Sequence, residues 1–294
     1  MYAIECNNLT HYYGKKLVYN NLSFKVEEGK ILGLLGKNGA GKSTTINILN
    51  GFLHPFAGEC LIYGENTQNL SPDNKARIGF LIEGHIQYSF MNIHQIEKFY
   101  SGFYPKWDNE PYWELMSKLK VTPKQKISSM SCGQRSQVAL GLILAQDPDL
   151  LILDDFSMGL DPGYRRLFID YLREYGKARN KTIFTTSHII QDMERLIDDV
   201  LIMDYNRILA QQPLSEFMTK FKRFNVLLQN PEAKLPKLNL SINTERLNNK
   251  VELYTYASIE EVKAELATYN VEYIAIEEQK MSLEDAFIGL TGKY

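Results

Sequence analysis

Three observations predict an α/β fold with a mostly parallel sheet. A short apolar run, Ile31-Leu32-Gly33-Leu34-Leu35, enters a glycine-rich turn and emerges as a helical pattern, Thr44-Thr45-Ile46-Asn47-Ile48-Leu49. A second run, Leu150-Leu151-Ile152-Leu153, ends on Asp154 and Asp155, with the unbroken hydrophobicity of a strand buried on both faces. A third, Lys181 to Ser187, follows a helical segment from Arg165 to Tyr175, so strand and helix alternate. Ligands of such sheets sit beyond the carboxyl ends of the strands, where Asp154, Asp155 and His188 fall.

Residues 1 to about 30 come first. They alternate with period two, notably Leu22-Ser23-Phe24-Lys25-Val26 before the turn Glu28-Gly29, which predicts antiparallel strands. Gly36-Lys37-Asn38-Gly39-Ala40-Gly41-Lys42-Ser43 then joins the first buried strand to its helix. Glycines let the backbone wrap an anion, exposed N–H groups point inward, and the helix N-terminus adds positive potential. Lys42 is placed to reach the β- and γ-phosphates of a nucleotide, and the Ser43 hydroxyl to take a Mg²⁺ position. A turn that merely ends a strand is the alternative, but all four fixed positions of a phosphate loop are matched in the required strand–turn–helix context.

Ile78-Gly79-Phe80-Leu81-Ile82-Glu83 reads as another strand running into a loop. From about residue 85 to 146 the pattern turns helical and holds Phe99, Tyr100, Phe103, Tyr104, Trp107, Tyr112 and Trp113. These aromatics build either a subdomain core or a groove for a partner's helix, and one subdomain can do both.

Four more segments follow in a telling order. Met130-Ser131-Cys132-Gly133-Gln134, Leu150 to Asp155, Gly159-Leu160-Asp161 and Thr186-Ser187-His188 resemble the signature motif, Walker B strand, D-loop and switch histidine of ATP-binding cassette (ABC) proteins. With the phosphate loop they cover residues 1 to about 215 in the family's order. The resemblance implies a phosphate-loop NTPase core with an antiparallel β subdomain and a helical subdomain. It implies ATP and Mg²⁺ as ligands, with Gly36, Asn38, Gly39, Ala40, Gly41, Lys42, Ser43 and Thr44 around the phosphates. Ser43 and Asp154 would hold the metal, and His188 would contact the γ-phosphate. Tyr13 would stack on adenine; Tyr12 could instead be that residue, and either could be plain sheet packing. Ser131, Gly133 and Gln134, opening a helix from about Gln134 to Gln146, would complete the site of a second cassette, and Asp161 would help join the two. With one phosphate loop and one signature, the chain must pair with another cassette, identical or related.

Four positions depart from the family's usual residues, the mildest being Cys132, in place of a glycine often found there at a position that varies. Glu83 stands where Gln usually contacts Mg²⁺ and the attacking water. Asp155 replaces the usual Glu that polarises that water, retracting the carboxylate by about 1.5 Å, one C–C bond length. Phe156 replaces the usual Pro. Nucleotide and metal binding are expected to survive, with fast hydrolysis in doubt. A slow regulatory clamp, or one half of an asymmetric heterodimer, is the alternative to a transport ATPase.

The 294 residues suit one medium domain and a small one, expected at 1–217 and 222–294, with Lys220-Phe221-Lys222-Arg223 as a linker or solvated helix end. Strands are predicted at Phe224–Leu228, Val251–Tyr256 and Val271–Ile276. Ser258 and Glu261 form a capping box before Ile259, Val262 and Leu266, and a last helix begins at Ser282 with Leu283, Ala286, Phe287 and Leu290 on one face. This α+β ending, with its Ser-Leu-Glu-Asp-x-Phe run, resembles the extension of ABC-2-type exporter ATPases. That implies export through separate integral membrane subunits, with this chain cytoplasmic on the inner face of the membrane.

Composition adds exclusions. A net charge of −2 gives no electrostatic reason to bind nucleic acid, and no nucleic-acid partner is expected. The longest clean apolar run, Val138 to Ala145, is far short of the roughly 20 residues of a membrane span. Met1-Tyr2-Ala3-Ile4-Glu5 lacks the features of an export signal. Cys6, Cys60 and Cys132 are widely scattered and lack metal-ligand spacing, which suits a reducing compartment.

Overall fold

The alternating start of the chain folds into a hairpin, β1 (Tyr2–Tyr13) and β2 (Lys16–Glu27). The computed structural model describes residues 1–81, 88–118, 122–157, 159–232 and 235–292. The chain divides into two units, Met1–Gln211 and Gln212–Tyr294.

In the first unit, β3 (Ile31–Gly36) leads through the glycine-rich loop into α1 (Lys42–Leu49). The chain returns through β4 (Ala57–Ile62) and β5 (Glu65–Asn66) to complete a four-stranded antiparallel sheet of order β2-β1-β4-β5. Its inward residues Ile4, Cys6, Leu9, Leu22, Phe24 and Val26 are buried. A short α2 (Pro72–Ala76), capped by Ser71, precedes β6 (Ile78–Leu81). The rest of the strand expected through Glu83 lies outside the described residues.

Three helices follow, α3 (Ile93–Ser101), α4 (Glu110–Lys118) and α5 (Cys132–Ala145). Strand–helix alternation then resumes with β7 (Leu150–Asp154), α6 (Pro162–Ala178), β8 (Thr182–Thr186), α7 (Ile190–Leu196), β9 (Asp199–Asp204) and β10 (Arg207–Pro213). The main sheet has the order β10-β9-β3-β8-β7-β6, and the pairs from β9 through β6 are parallel. Strands β3, β8 and β7 are therefore neighbours, with their carboxyl ends in a row at Gly36, Thr186 and Asp154. Phe24 of β2 stacks on Phe184 of β8 at 5.9 Å, so the two sheets share one core.

The helical-segment aromatics divide between two tasks. Tyr112 is buried and donates to the Ile93 carbonyl at 2.7 Å, tying α4 to α3, while Trp107 donates to Glu97 at 2.9 Å. Phe99 and Phe103 instead form an exposed patch with Tyr88 and Phe90, their rings 5.1–6.0 Å apart. Among the described residues, no helix is long and apolar enough to cross a membrane.

The second unit comprises α8 (Leu214–Lys220), β11 (Lys222–Leu228), β12 (Asn243–Leu247), β13 (Lys250–Thr255), α9 (Ile259–Thr268), β14 (Tyr273–Gln279) and α10 (Leu283–Thr291). Its antiparallel sheet has the order β12-β13-β11-β14. Residues 220–223 are not a linker: Lys220 is an exposed helix end, the other expectation, but Phe221 is fully buried, stacks on Phe217 at 5.5 Å and packs against Tyr254 and Tyr256. That ring draws α8 into the second unit, which is why the division falls before residue 217. The expected capping box forms at Ser258 with Glu261, and a second, not anticipated, forms at Ser282 with Asp285. Strand β12 has no counterpart in the sequence reading, because Asn243-Thr244-Glu245-Arg246-Leu247 carries the polarity of a loop.

The cysteines are not all scattered in space. Cys6 and Cys60 face each other across β1 and β4 as buried free thiols with sulfurs 2.8 Å apart, and burial pushes the Cys6 thiol well up. Cys132 is exposed at the first position of α5.

Candidate active site

The loop between β3 and α1 has the backbone of an anion cradle. Gly39 and Gly41 take left-handed φ angles of +83° and +103°, which other residues rarely adopt. A Cβ on Gly41 would fall 2.8 Å from the Tyr19 ring, whereas Gly39 has open space beside it. Lys42 and Ser43 begin α1, so the first free N–H groups of the helix belong to this loop. The Lys42 ammonium lies back over the loop, donating to the Gly36 carbonyl at 2.7 Å and the Lys37 carbonyl at 3.3 Å. Burial pushes Lys42 below its ordinary value, and the nearby charges of Asp154 and Asp155 oppose that shift.

A cavity of about 240 Å³ opens over the loop, lined by Tyr13, Lys16, Val18, Asn38, Gly39, Gly41, Lys42, Ser43, Thr44 and His188. Tyr13 stands at its rim, 52% exposed, with its hydroxyl 3.4 Å from Thr44 Oγ1. Tyr12 does not line the cavity; its ring packs edge-on against Phe56 at 5.2 Å. Strand alternation thus separates two residues that are adjacent in sequence. The sequence reading missed Lys16 and Val18; the Tyr13–Lys16 pairing across the hairpin turn is the signal that would have found Lys16.

The catalytic candidates sit at neighbouring strand ends. Asp154 closes β7 and accepts from the Thr186 hydroxyl at 2.5 Å. Asp155 is buried with φ +47°, and its N–H donates to the Thr186 carbonyl at 3.2 Å. Its carboxylate turns toward His188, accepting from the His188 main-chain N–H at 3.3 Å and lying 3.5 Å from Nε2. The His188 side chain is 60% exposed. Phe156 is buried and stacks on Phe168 of α6, so it fills core where the family usually has Pro.

The signature segment forms a second group. Ser131 caps α5: its hydroxyl accepts from the Gln134 N–H at 3.2 Å, and Gln134 Oε1 accepts from the Ser131 N–H at 3.0 Å. The helix therefore starts at Cys132, two residues before the expected Gln134. Gly133 is pressed against the D-loop, where an added Cβ would lie 3.0 Å from Leu160 Cδ2 and 3.2 Å from the Gly159 carbonyl. Asp161 caps α6, accepting from the Gly163 and Tyr164 N–H groups at 3.1 and 3.2 Å. Ser131, Gly133, Gln134 and Asp161 do not line the cavity. Glu83 lies outside the described residues.

Residues 19–157 match the protein-family model described as ABC transporter. The Nod factor export ATP-binding protein I of Burkholderia lata is 34% identical over 226 residues, covering 71% of this chain and 70% of that protein. The chain belongs to the ABC transporter ATP-binding family. This ABC subunit also resembles the bacitracin transport ATP-binding protein BcrA of Bacillus licheniformis, at 29% identity over 98% of this chain and 97% of that protein. Among solved structures, an ATP-binding subunit of an ABC transporter shares the fold with a TM-score of 0.64 at 24% identity, over 74% of this chain and 92% of that one. A dimeric ATP-binding cassette bound to ADP and Pi gives 0.61 at 20% identity, over 72% and 98%. The chain thus has the α/β phosphate-loop fold of the ABC ATP-binding subunits, a family of ATPases.

Proposed function

We propose that this ABC subunit binds MgATP in the Tyr13–His188 cavity, closes head to tail on a second cassette, and hydrolyses ATP slowly to drive export. The observation that carries this reading is the meeting of the phosphate loop, Asp154 and His188 at neighbouring strand ends, while Gly133 sits instead against the D-loop residues Gly159 and Leu160. A signature half set apart from the phosphate loop needs a partner to complete the site.

The cavity fits the ligand in two respects. Its 240 Å³ is below the roughly 300–1,000 Å³ of pockets that enclose a whole small molecule, which suits a triphosphate with the base lying on the exposed Tyr13 ring. Asp154, at the carboxyl end of β7, presents a carboxylate, and Ser43 a hydroxyl at the start of α1. That suits Mg²⁺, which binds through one or two carboxylates plus substrate phosphates and keeps waters. Ser43 and Asp154 would hold it, with Glu83 a further contact implied by resemblance, and its charge would offset that on the β- and γ-phosphates.

This chain's own residues do the rest. Lys42 leaves the Gly36 and Lys37 carbonyls for phosphate oxygens. His188 contacts the γ-phosphate, and Asp155 orients the attacking water. The partner's Ser131 hydroxyl and Gly133 N–H, at a helix N-terminus, close the other side with Gln134, and Asp161 joins the two faces. Turnover is slow because the Asp155 carboxylate is about one bond length, ~1.5 Å, short of the usual position and already engaged with His188. That engagement also favours a second reading, in which this chain is a regulatory clamp or the slow half of a heterodimer.

The names of the bacitracin and Nod factor relatives support export. The exposed Tyr88, Phe90, Phe99 and Phe103 suit a contact with an integral membrane subunit at the inner face of the membrane. Turnover and MgATP affinity of the purified chain test the proposal. Tight binding with measurable phosphate release supports it, and absence of MgATP binding rejects it.

A further inference from the structure

One buried carboxylate has no task in the mechanism so far. Asp192 lies in the first turn of α7, four residues after His188, and is only 7% exposed. Its Oδ1 accepts from Arg165 Nε at 3.1 Å, its Oδ2 lies 3.0 Å from the same nitrogen, and Ser157 Oγ donates to Oδ2 at 3.3 Å. Ser157 is two residues past Asp155, and Arg165 is near the start of the helix that Asp161 caps. A single side chain therefore ties together the segment after the Walker B strand, the helix after the D-loop and the helix after the switch histidine.

A buried ion pair contributes little net stability over an apolar pair of the same size. Burial in fact pushes Asp192 above the ordinary carboxylate range, with Arg165 opposing the shift. What a charged, hydrogen-bonded contact supplies is direction, since it fixes the angle between elements more tightly than apolar packing does. The D-loop so held is itself pressed against the signature segment, with Leu160 and Gly159 beside Gly133.

We infer that Asp192 is a positioning residue that locks the D-loop to the switch helix, so that phosphate contact at His188 sets the attitude of the same chain's Ser131 edge toward the second nucleotide. The inference rests on the ABC ATPase reading and extends it from how one site binds to how two sites communicate.

The test uses the full chain, with steady-state phosphate release, nucleotide titration and thermal melting for wild type, Asp192→Ala and Asp192→Asn. Asp192→Ala leaves the largely buried Arg165 without its partner and is expected to melt lower, yet the folded variant should keep MgATP affinity near wild type while kcat falls on the order of 100-fold, as for a displacement of about 1 Å at the catalytic groups. Positive cooperativity in ATP is expected to drop to a Hill coefficient of about one. Asp192→Asn, which keeps the Ser157 acceptor but not the charge toward Arg165, should fall between. Asp192→Ala/Arg165→Ala should be no worse than Asp192→Ala alone, because the two act as one unit. Wild-type turnover and cooperativity in folded Asp192→Ala would overturn the inference, as would MgATP affinity falling in step with kcat. A wild-type chain that neither binds nor turns over MgATP overturns the ABC reading and the coupling with it.

Discussion

Replacing Asp155 by Glu moves a carboxylate by about 1.5 Å, one C–C bond, along a path the geometry defines. Oδ1 now accepts from the His188 N–H at 3.3 Å, and Oδ2 lies 3.5 Å from Nε2. The longer side chain extends the acid one bond beyond these contacts with His188, a residue that lines the cavity. Misplacing a catalytic group by about 1 Å can cost on the order of 100-fold, or about 2.7 kcal/mol of barrier. Asp155→Glu should recover up to that factor in kcat, measured as phosphate release at saturating MgATP, with nucleotide affinity unchanged. The gain has a cost in stability. Asp155 sits at φ +47°, a left-handed conformation that Asp tolerates better than Glu, so the variant should lose roughly 1 kcal/mol and melt a few degrees lower. Turnover that stays flat or falls while affinity is intact would refute the idea of a retracted carboxylate.

Other expectations follow from single contacts. Tyr13→Ala should weaken MgATP binding by roughly 1–3 kcal/mol, the worth of a base–aromatic stack. Tyr13→Phe and Tyr12→Ala should leave it nearly intact, and titration with a fluorescent nucleotide separates these outcomes. Gly133→Ala places a Cβ 3.0 Å from Leu160 and 3.2 Å from the Gly159 carbonyl. It should cost about 1–3 kcal/mol of local packing and reduce MgATP-driven association in sedimentation while monomer affinity holds. Burial lowers Lys42 from its ordinary value, so its charge is lost as pH rises through a point below that of free lysine. MgATP affinity should decline over that alkaline window, and Lys42→Arg, which stays charged, should lack the decline even though it binds less well at pH 7.

What was legible in the sequence is what local pattern encodes. The phosphate loop, the Leu150–Asp154 strand and the Ser258–Glu261 capping box of the second unit each depend on residues within a few positions of one another, so spacing suffices. The early start of α5 is also local, since Ser131 and Gln134 have capping-box spacing and so fix the first turn at Cys132. Choosing between Tyr12 and Tyr13 needed strand register, which sets the face of every side chain. Phe221 was hidden by cationic neighbours that snorkel or pair at the surface, as Lys222 does with Glu278. The Cys6–Cys60 contact, the turn of Asp155 toward His188 and the Ser157–Asp192–Arg165 cluster all join distant segments. No window along the chain contains them; only the folded sheet order brings them together.

Sedimentation of the Asp155→Asn variant, with and without MgATP, tests most directly whether two chains enclose the nucleotide. The variant keeps Lys42, Ser43, Asp154 and the Ser131 edge while hydrolysis is blocked. A monomer that becomes a dimer on adding MgATP, and returns when the nucleotide is removed, is the predicted result. A chain saturated with MgATP that sediments as a monomer at every concentration would contradict it.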